Sequence, residues 1–304
     1  MRGFYLGIVG FFSLFMFVSC KSCINNKKAT QNKDKQEHEN FLNDTTNKTV
    51  EIKTVITRFP TPGEMFGLIK EGGLTFEEKL LNTTDRIDNY NKYKDQSLNL
   101  GIYIADFAYI SIFGRQDKAV SYLKLIENLS KKVGISAAID EGLINKIKKN
   151  INNIDSLTNY SDEAFIDLFD YCETNKIQYT NVLISAGAYI EGLYITLNNI
   201  KKYSDENPIL IQLASQKQSF GNVLGYAEEY GANPSVKDFI PYLIQIDDIF
   251  KTLKAEVKKS AVTKNKENKL VFSGGKKYIF TKEVFDNLKA KVNAIREQIV
   301  NSKI

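Results

Sequence analysis

The chain predicts a mainly α fold, a multi-helix antiparallel bundle or a stack of helical hairpins with one small β-hairpin near the C-terminus. Three observations carry this reading. From Phe59 onward apolar residues recur at three- and four-residue spacings. Helix-start signatures and closing glycines punctuate those stretches at short intervals. Residues 268–281 alone break the rhythm, with β-rich runs on either side of Ser273-Gly274-Gly275, and read as the hairpin.

Taken in order, residues 1–20 read MRGFYLGIVGFFSLFMFVSC: one Arg2, an apolar run from Phe4 to Val18, a small Ser19, then Cys20. A positive start, an apolar centre and a small residue at the cut are what a secretion signal requires. The segment resembles the lipobox of bacterial lipoproteins, which implies cleavage after residue 19 and diacylglyceryl attachment at Cys20. Phe17 stands where Leu is commonest, and Lys21 makes Cys23 a poor alternative. The competing reading is an uncleaved anchor, since about 18 apolar residues just span a bilayer. The resemblance further implies a partner in the lipid bilayer, reached through acylated Cys20. With no acidic residue among residues 21–26, it places the body in the cell envelope facing the periplasm rather than the cell surface.

Residues 20–58 are rich in Asn, Lys, Thr, Gln and Glu, a composition that buries too little apolar surface to offset the entropy of ordering. They read as a tether; about 35 flexible residues reach roughly 30 Å. Residues 59–304 form the helical domain. Thr61-Pro62-Gly63-Glu64 supplies an N-cap, a proline at the first helical position and a glutamate three residues after the cap, and Thr75 to Glu78 repeats the device. Helices are then expected near residues 84–95, 97–113, 116–133, 140–152, 161–175, 179–202, 208–230, 235–261 and 282–302, with Gly114, Gly134 and Gly231 closing three of them. Residues 98–113 and 182–197 are apolar nearly all round and are the expected core helices. Gly101-Ile102-Tyr103-Ile104 with Tyr109-Ile110 echoes Gly187-Ala188-Tyr189-Ile190 with Tyr194-Ile195, but no period recurs three times, so chance similarity is preferred to duplication.

Charge narrows function. The chain holds 41 basic and 36 acidic side chains, yet from Phe59 onward 32 face 31. Within that part residues 251–282 hold ten lysines and only Glu256 and Glu267, which leaves the remainder net acidic by about seven charges. Lys258, Lys259, Lys264, Lys266, Lys276 and Lys277 are the candidate contacts to an anionic membrane or polysaccharide surface. Trp is absent and no groove-reading or base-stacking motif accompanies the lysines, so no nucleic-acid partner is expected.

The single histidine, His38, lies in the tether, so a Ser-His-Asp or Cys-His catalytic set cannot be built on the body. No metal site is expected: Cys172 alone cannot replace imidazole and thiolate ligands, and Asp247-Asp248 lacks the glycine-turned loop of a calcium site. Gly274-Gly275-Lys276 lacks the remaining parts of a phosphate loop, and no cofactor is expected. Asp106 and Glu191 remain, each a carboxylate in the middle of an apolar core helix. Brought together in a cleft they would supply the general acid and base of a hydrolase. The favoured alternative is a polar network with Tyr103, Tyr109, Tyr189, Tyr194 or Arg115 that fixes helix register. Most of the sixteen tyrosines sit at core spacing; Tyr160, Tyr203, Tyr226 and Tyr230 are placed near surfaces.

The segments NLGIYIADFAYISIF (residues 99–113) and ISAGAYIEGLYITL (residues 184–197) are similar to helical bacterial lipoproteins of unknown function. That resemblance implies no activity and no catalytic residue. It leaves a binding or scaffolding domain, with an envelope protein or glycan as its partner, as the preferred reading.

Overall fold

Two long helices with four charged residues between them, Lys94, Asp95, Asp106 and Glu191, organise the molecule. The computed structural model describes residues 60–264 and 270–304, and over residues 258–264 and 270–276 the backbone alone. The described residues belong to one compact unit, Val55–Ile304. Its central pair is α2 (Tyr93–Ile112) and α6 (Gln178–Asn199). Both are buried on nearly every side, as their all-round apolarity requires.

Helix α1 (Pro62–Glu71) starts on the expected box: Thr61 Oγ1 accepts from the Glu64 amide at 3.0 Å, and Glu64 Oε2 accepts from the Thr61 amide at 2.9 Å. The second device does not form. Thr75 instead donates its amide and hydroxyl to Asn199 Oδ1, both at 3.2 Å, and residues Glu78–Leu80 make one 3-10 turn without a side-chain cap. Residues Thr84–Asn89 are likewise 3-10 rather than the start of a longer helix. Helix α3 (Gln116–Val133) has the expected bounds. It folds back along α2 after Gly114 (φ 61°) and closes on Gly134 (φ 82°), both left-handed as glycine allows. Gly231 takes no such conformation.

The amphipathic α4 (Glu141–Lys149), capped by Asp140, packs on α5 (Ile154–Thr174), which starts seven residues before the expected boundary because Asn153 caps it at the Ser156 amide. After α6, the expected helix at residues 208–230 is two, α7 (Pro208–Ser215) and α8 (Lys217–Glu229), parted at Gln216. Tyr189 holds that joint, its hydroxyl 2.9 Å from Gln216 Oε1. A short α9 (Pro234–Lys237) and α10 (Ile240–Lys251) follow.

The expected helix over residues 235–261 stops at Thr252, and its last stretch is strand β1 (Lys254–Lys264), paired antiparallel with β2 (Leu270–Ile279). Val257, Val262 and Thr263 favour the extended backbone, and β2 supplies the ladder. The hairpin near the C-terminus is therefore present, but its turn is not Ser273-Gly274-Gly275. Those residues sit inside β2, opposite the irregularity between Lys258 and Ala261, where glycine eases a bulge. The connection, residues 265–269, lies outside the described residues. Helix α11 (Lys282–Val300), capped by Thr281, closes the chain against α6, α10 and α2. Among the described residues no helix is long and apolar enough to cross a membrane.

The contacts between α2 and α6 run in one chain direction: Tyr93 with Thr180, Gly101 with Ile184 and Ala188, then Asp106 with Glu191. The two glycines make the approach possible. An ideal Cβ on Gly101 would lie 2.8 Å from the Ala188 nitrogen and closer still to the Ile184 carbonyl oxygen; one on Gly187 would lie 2.9 Å from the Leu98 carbonyl carbon and closer still to its oxygen. Each glycine faces the residue three positions before the other glycine, so the contact has local two-fold character and the sequence echo is an echo in space. Parallel packing of matching helices is what a stack of hairpins produces.

Candidate functional site

Asp106 and Glu191 are brought together by that crossing. Asp106 lies five residues beyond Gly101 and Glu191 four beyond Gly187, one helical turn above the point where the backbones touch. Both are wholly buried. Their counter-ion is Arg296 of α11, whose Nε and Nη2 each reach Glu191 at 2.9 Å in a two-pronged pair. Its guanidinium also lies 4.4 Å from the centre of the Tyr194 ring.

Asp106 Oδ2 accepts from the Asn82 amide at 3.0 Å, while Oδ1 meets no donor. Burial raises the Asp106 pKa well above 3.8, the Glu191 charge raises it further, and Arg296 and the Asn82 amide only partly oppose them. A neutral Asp106 that donates its proton to Glu191 satisfies every one of these contacts. The cluster then holds one carboxylate, one carboxylic acid and one guanidinium, formally neutral. Burial works to lower the Arg296 pKa, but the Glu191 carboxylate, through its charge and its hydrogen bonds, more than offsets it, and the guanidinium is held above its ordinary value.

Tyrosines fence the cluster. Tyr122 donates to the Asn82 carbonyl at 2.6 Å, Tyr103 to Thr83 at 2.8 Å, and Asn82 Nδ2 donates to Tyr90 at 3.2 Å. Tyr109 ties α2 to the segment before it, donating to the Thr75 carbonyl at 2.5 Å. Of the partners expected from sequence, only Tyr194 touches the charges. Arg115 stays at the surface, paired with Asp117 at 3.1 Å. Arg296 was the residue that sequence reasoning missed, although a signal existed: it lies among Phe285, Leu288, Val292 and Ile299, on the apolar stripe of α11.

A hydrolase reading needs both carboxyls open to a solvent-reachable cleft, and they meet without one. An open groove of about 470 Å³ lies elsewhere, between α4 and α5, lined by Asp140, Glu163, Asp167, Asp170 and Lys146 among others. Asp247 and Asp248 are engaged by Lys251, at 2.8 and 3.2 Å, and no group among the described residues has three or more acidic, His or Cys side chains placed to hold a metal. Tyr226 is buried, contrary to its expected surface position, while Tyr160, Tyr203 and Tyr230 are half-buried.

Lys258, Lys259, Lys264 and Lys276 fall in the two strands, and Lys277 is exposed in β2 opposite Glu256. Cys20, the tether with His38, and Lys266 lie outside the described residues. Cys172, in α5, is buried and unpaired with any cysteine, and burial pushes its thiol up to about 12. In the native protein peptide-resolved alkylation should reach Cys172 at least about a hundredfold more slowly than in denaturant; equal rates would show that α5 opens readily.

Comparison of the chain with family models, curated proteins and solved structures returned no match.

Proposed function

We propose that the chain is an envelope lipoprotein: a diacylated Cys20 anchors it to a bilayer, a polar tether spaces it, and the helical body faces the periplasm as a binding or scaffolding domain for an envelope protein or glycan. One observation carries this reading, the order of Arg2, an apolar run, Ser19 and Cys20 at the N-terminus. The body supports it by its chemistry. The buried pair Asp106 and Glu191 is closed off by Arg296 and by tyrosines, an arrangement that holds three helices in register rather than one that meets a substrate.

The test is the intact mass of the mature N-terminus from membrane-extracted protein, wild type beside Cys20→Ala. The expected result is a mature chain beginning at Cys20 with acyl mass added, lost in the variant together with membrane retention. An unmodified chain that still begins at Met1 would replace the lipid anchor with an uncleaved one.

A further inference from the structure

We infer that the β1–β2 ribbon is a docking surface for an anionic lipid bilayer, an inference that rests on the envelope reading above and adds to it the way the body meets the membrane. At its base the ribbon packs on the body. Tyr203 donates to the Phe280 carbonyl at 2.8 Å, Phe280 packs on Phe250 with ring centres 6.4 Å apart, and Lys217 Nζ lies 4.5 Å from the centre of the Tyr278 ring. Leu253 and Phe280 are buried, yet by Val257 the chain has left the body: that side chain is 76 % exposed. Beyond it the antiparallel register continues to Lys264 and Leu270.

Charge complementarity selects the partner. The described strands, residues 254–264 and 270–279, carry six lysines and one glutamate, while the other described residues, 60–253 and 280–304, carry 24 basic and 29 acidic side chains. An anionic surface therefore attracts one element and repels the rest, which fixes an orientation as well as a contact. Residue type selects a bilayer over a polysaccharide. Among the lysines stand Val257, Val262, Leu270, Val271 and Phe272, with Val262 opposite Phe272 and Lys264 opposite Leu270 in the register. Apolar residues interleaved with lysine suit the headgroup boundary, where cationic groups meet lipid phosphate and apolar groups leave water. A polysaccharide would use the charge and leave the apolar positions in water. A two-stranded ribbon has little stability of its own, and a surface that covers it adds to what the body supplies at its base.

The experiment uses the full-length membrane-anchored protein, reconstituted in vesicles of phosphatidylcholine alone and in vesicles with about one third phosphatidylglycerol. Backbone hydrogen exchange is read over β1 and β2, with α2 and α4 as internal references, at low and high salt. The expected result is exchange in the ribbon slowed about tenfold or more in anionic vesicles only and restored by salt, since each contacting lysine contributes roughly a fivefold factor in partition. Lys258→Glu/Lys259→Glu/Lys276→Glu removes the protection and the matching triple arginine variant keeps it, while α2 exchanges as in wild type in both. Equal ribbon exchange in the two vesicle types overturns the inference. So does protection in phosphatidylcholine that fades on dilution of the protein, which assigns the ribbon to a second copy of the chain. Protection by soluble dextran sulfate but not by anionic vesicles overturns it in favour of a glycan. The N-terminal mass of the same sample reports the anchor separately, so failure of the ribbon contact and failure of the lipid anchor are told apart.

Discussion

Replacing Arg296 with Met destabilises the body by about 3–5 kcal/mol, because it leaves the Glu191 carboxylate buried with no counter-ion. Glu191→Gln costs a comparable amount for the mirror reason, an unpaired guanidinium in the core. Arg296→Lys does not rescue, since an ammonium cannot reproduce the two bonds of 2.9 Å or the stacking on Tyr194. Asp106→Asn behaves differently. The amide accepts from the Asn82 N–H and donates to Glu191 as a neutral carboxylic acid does, so near pH 4, where the unfolded carboxyl also keeps its proton, the change stays within about 1 kcal/mol of wild type; as pH rises the variant gains on wild type, which must hold a proton its unfolded chain has lost. Urea unfolding of the four variants checks the set. An Asp106→Asn loss as large as that of Glu191→Gln would show that Asp106 is ionised and that its charge is needed.

The protonation of Asp106 fixes the sign of a pH effect. Its pKa is raised in the folded state above the ordinary 3.8, so at intermediate pH the folded protein binds a proton the unfolded chain has lost. The associated stability is complete below about pH 4 and is lost as pH rises toward the folded pKa, at up to about 1.4 kcal/mol per pH unit. Other carboxylates add their own slopes, so the quantity to plot is wild type minus Asp106→Asn. That difference declines with rising pH and then levels; a difference that is flat from pH 4 to 8 would contradict a protonated Asp106.

The central helices, the α3 bounds and the Thr61 capping box were legible because each is written in local sequence: periodicity, caps and glycines act within one or two turns. The pairing of Asp106 with Glu191 was half legible, since a carboxylate inside an apolar helix announces burial but not its partner. The partner, Arg296, stands 105 residues beyond Glu191 on another helix, and only the tertiary packing of α11 decides that Arg296 rather than the nearer Arg115 meets the acids. The strand at residues 254–264 was misread for a related reason. Its lysines and alanines are acceptable in a helix, and what makes it extended is the ladder offered by β2, a non-local cause. Ser273-Gly274-Gly275 looked like a turn because local propensity cannot distinguish a glycine that reverses the chain from one that relieves a bulge.

Alanine at either Gly101 or Gly187 costs about 3 kcal/mol or more, the larger end of overpacking, because the obstructing atoms are backbone and cannot rotate away. Relief comes only by moving α2 and α6 apart by more than about 1 Å. That movement also stretches the Tyr93–Thr180 hydrogen bond and the Asp106–Glu191 contact on either side of the crossing. The two substitutions are strongly coupled: once one has spread the helices the other adds little, so the double variant loses much less than the sum. Gly221→Ala and Gly225→Ala in α8 supply the control. Nothing lies within 4 Å of a Cβ at either place, and there alanine gains about 0.5–1 kcal/mol by its helix propensity. The measurement is the shift in Tm, a fall of roughly 6–12 °C for each core variant against a small rise for each control. Equal small effects at all four positions would mean that α2 and α6 do not touch backbone to backbone, and the placement of the buried acids one turn beyond that contact would lose its basis.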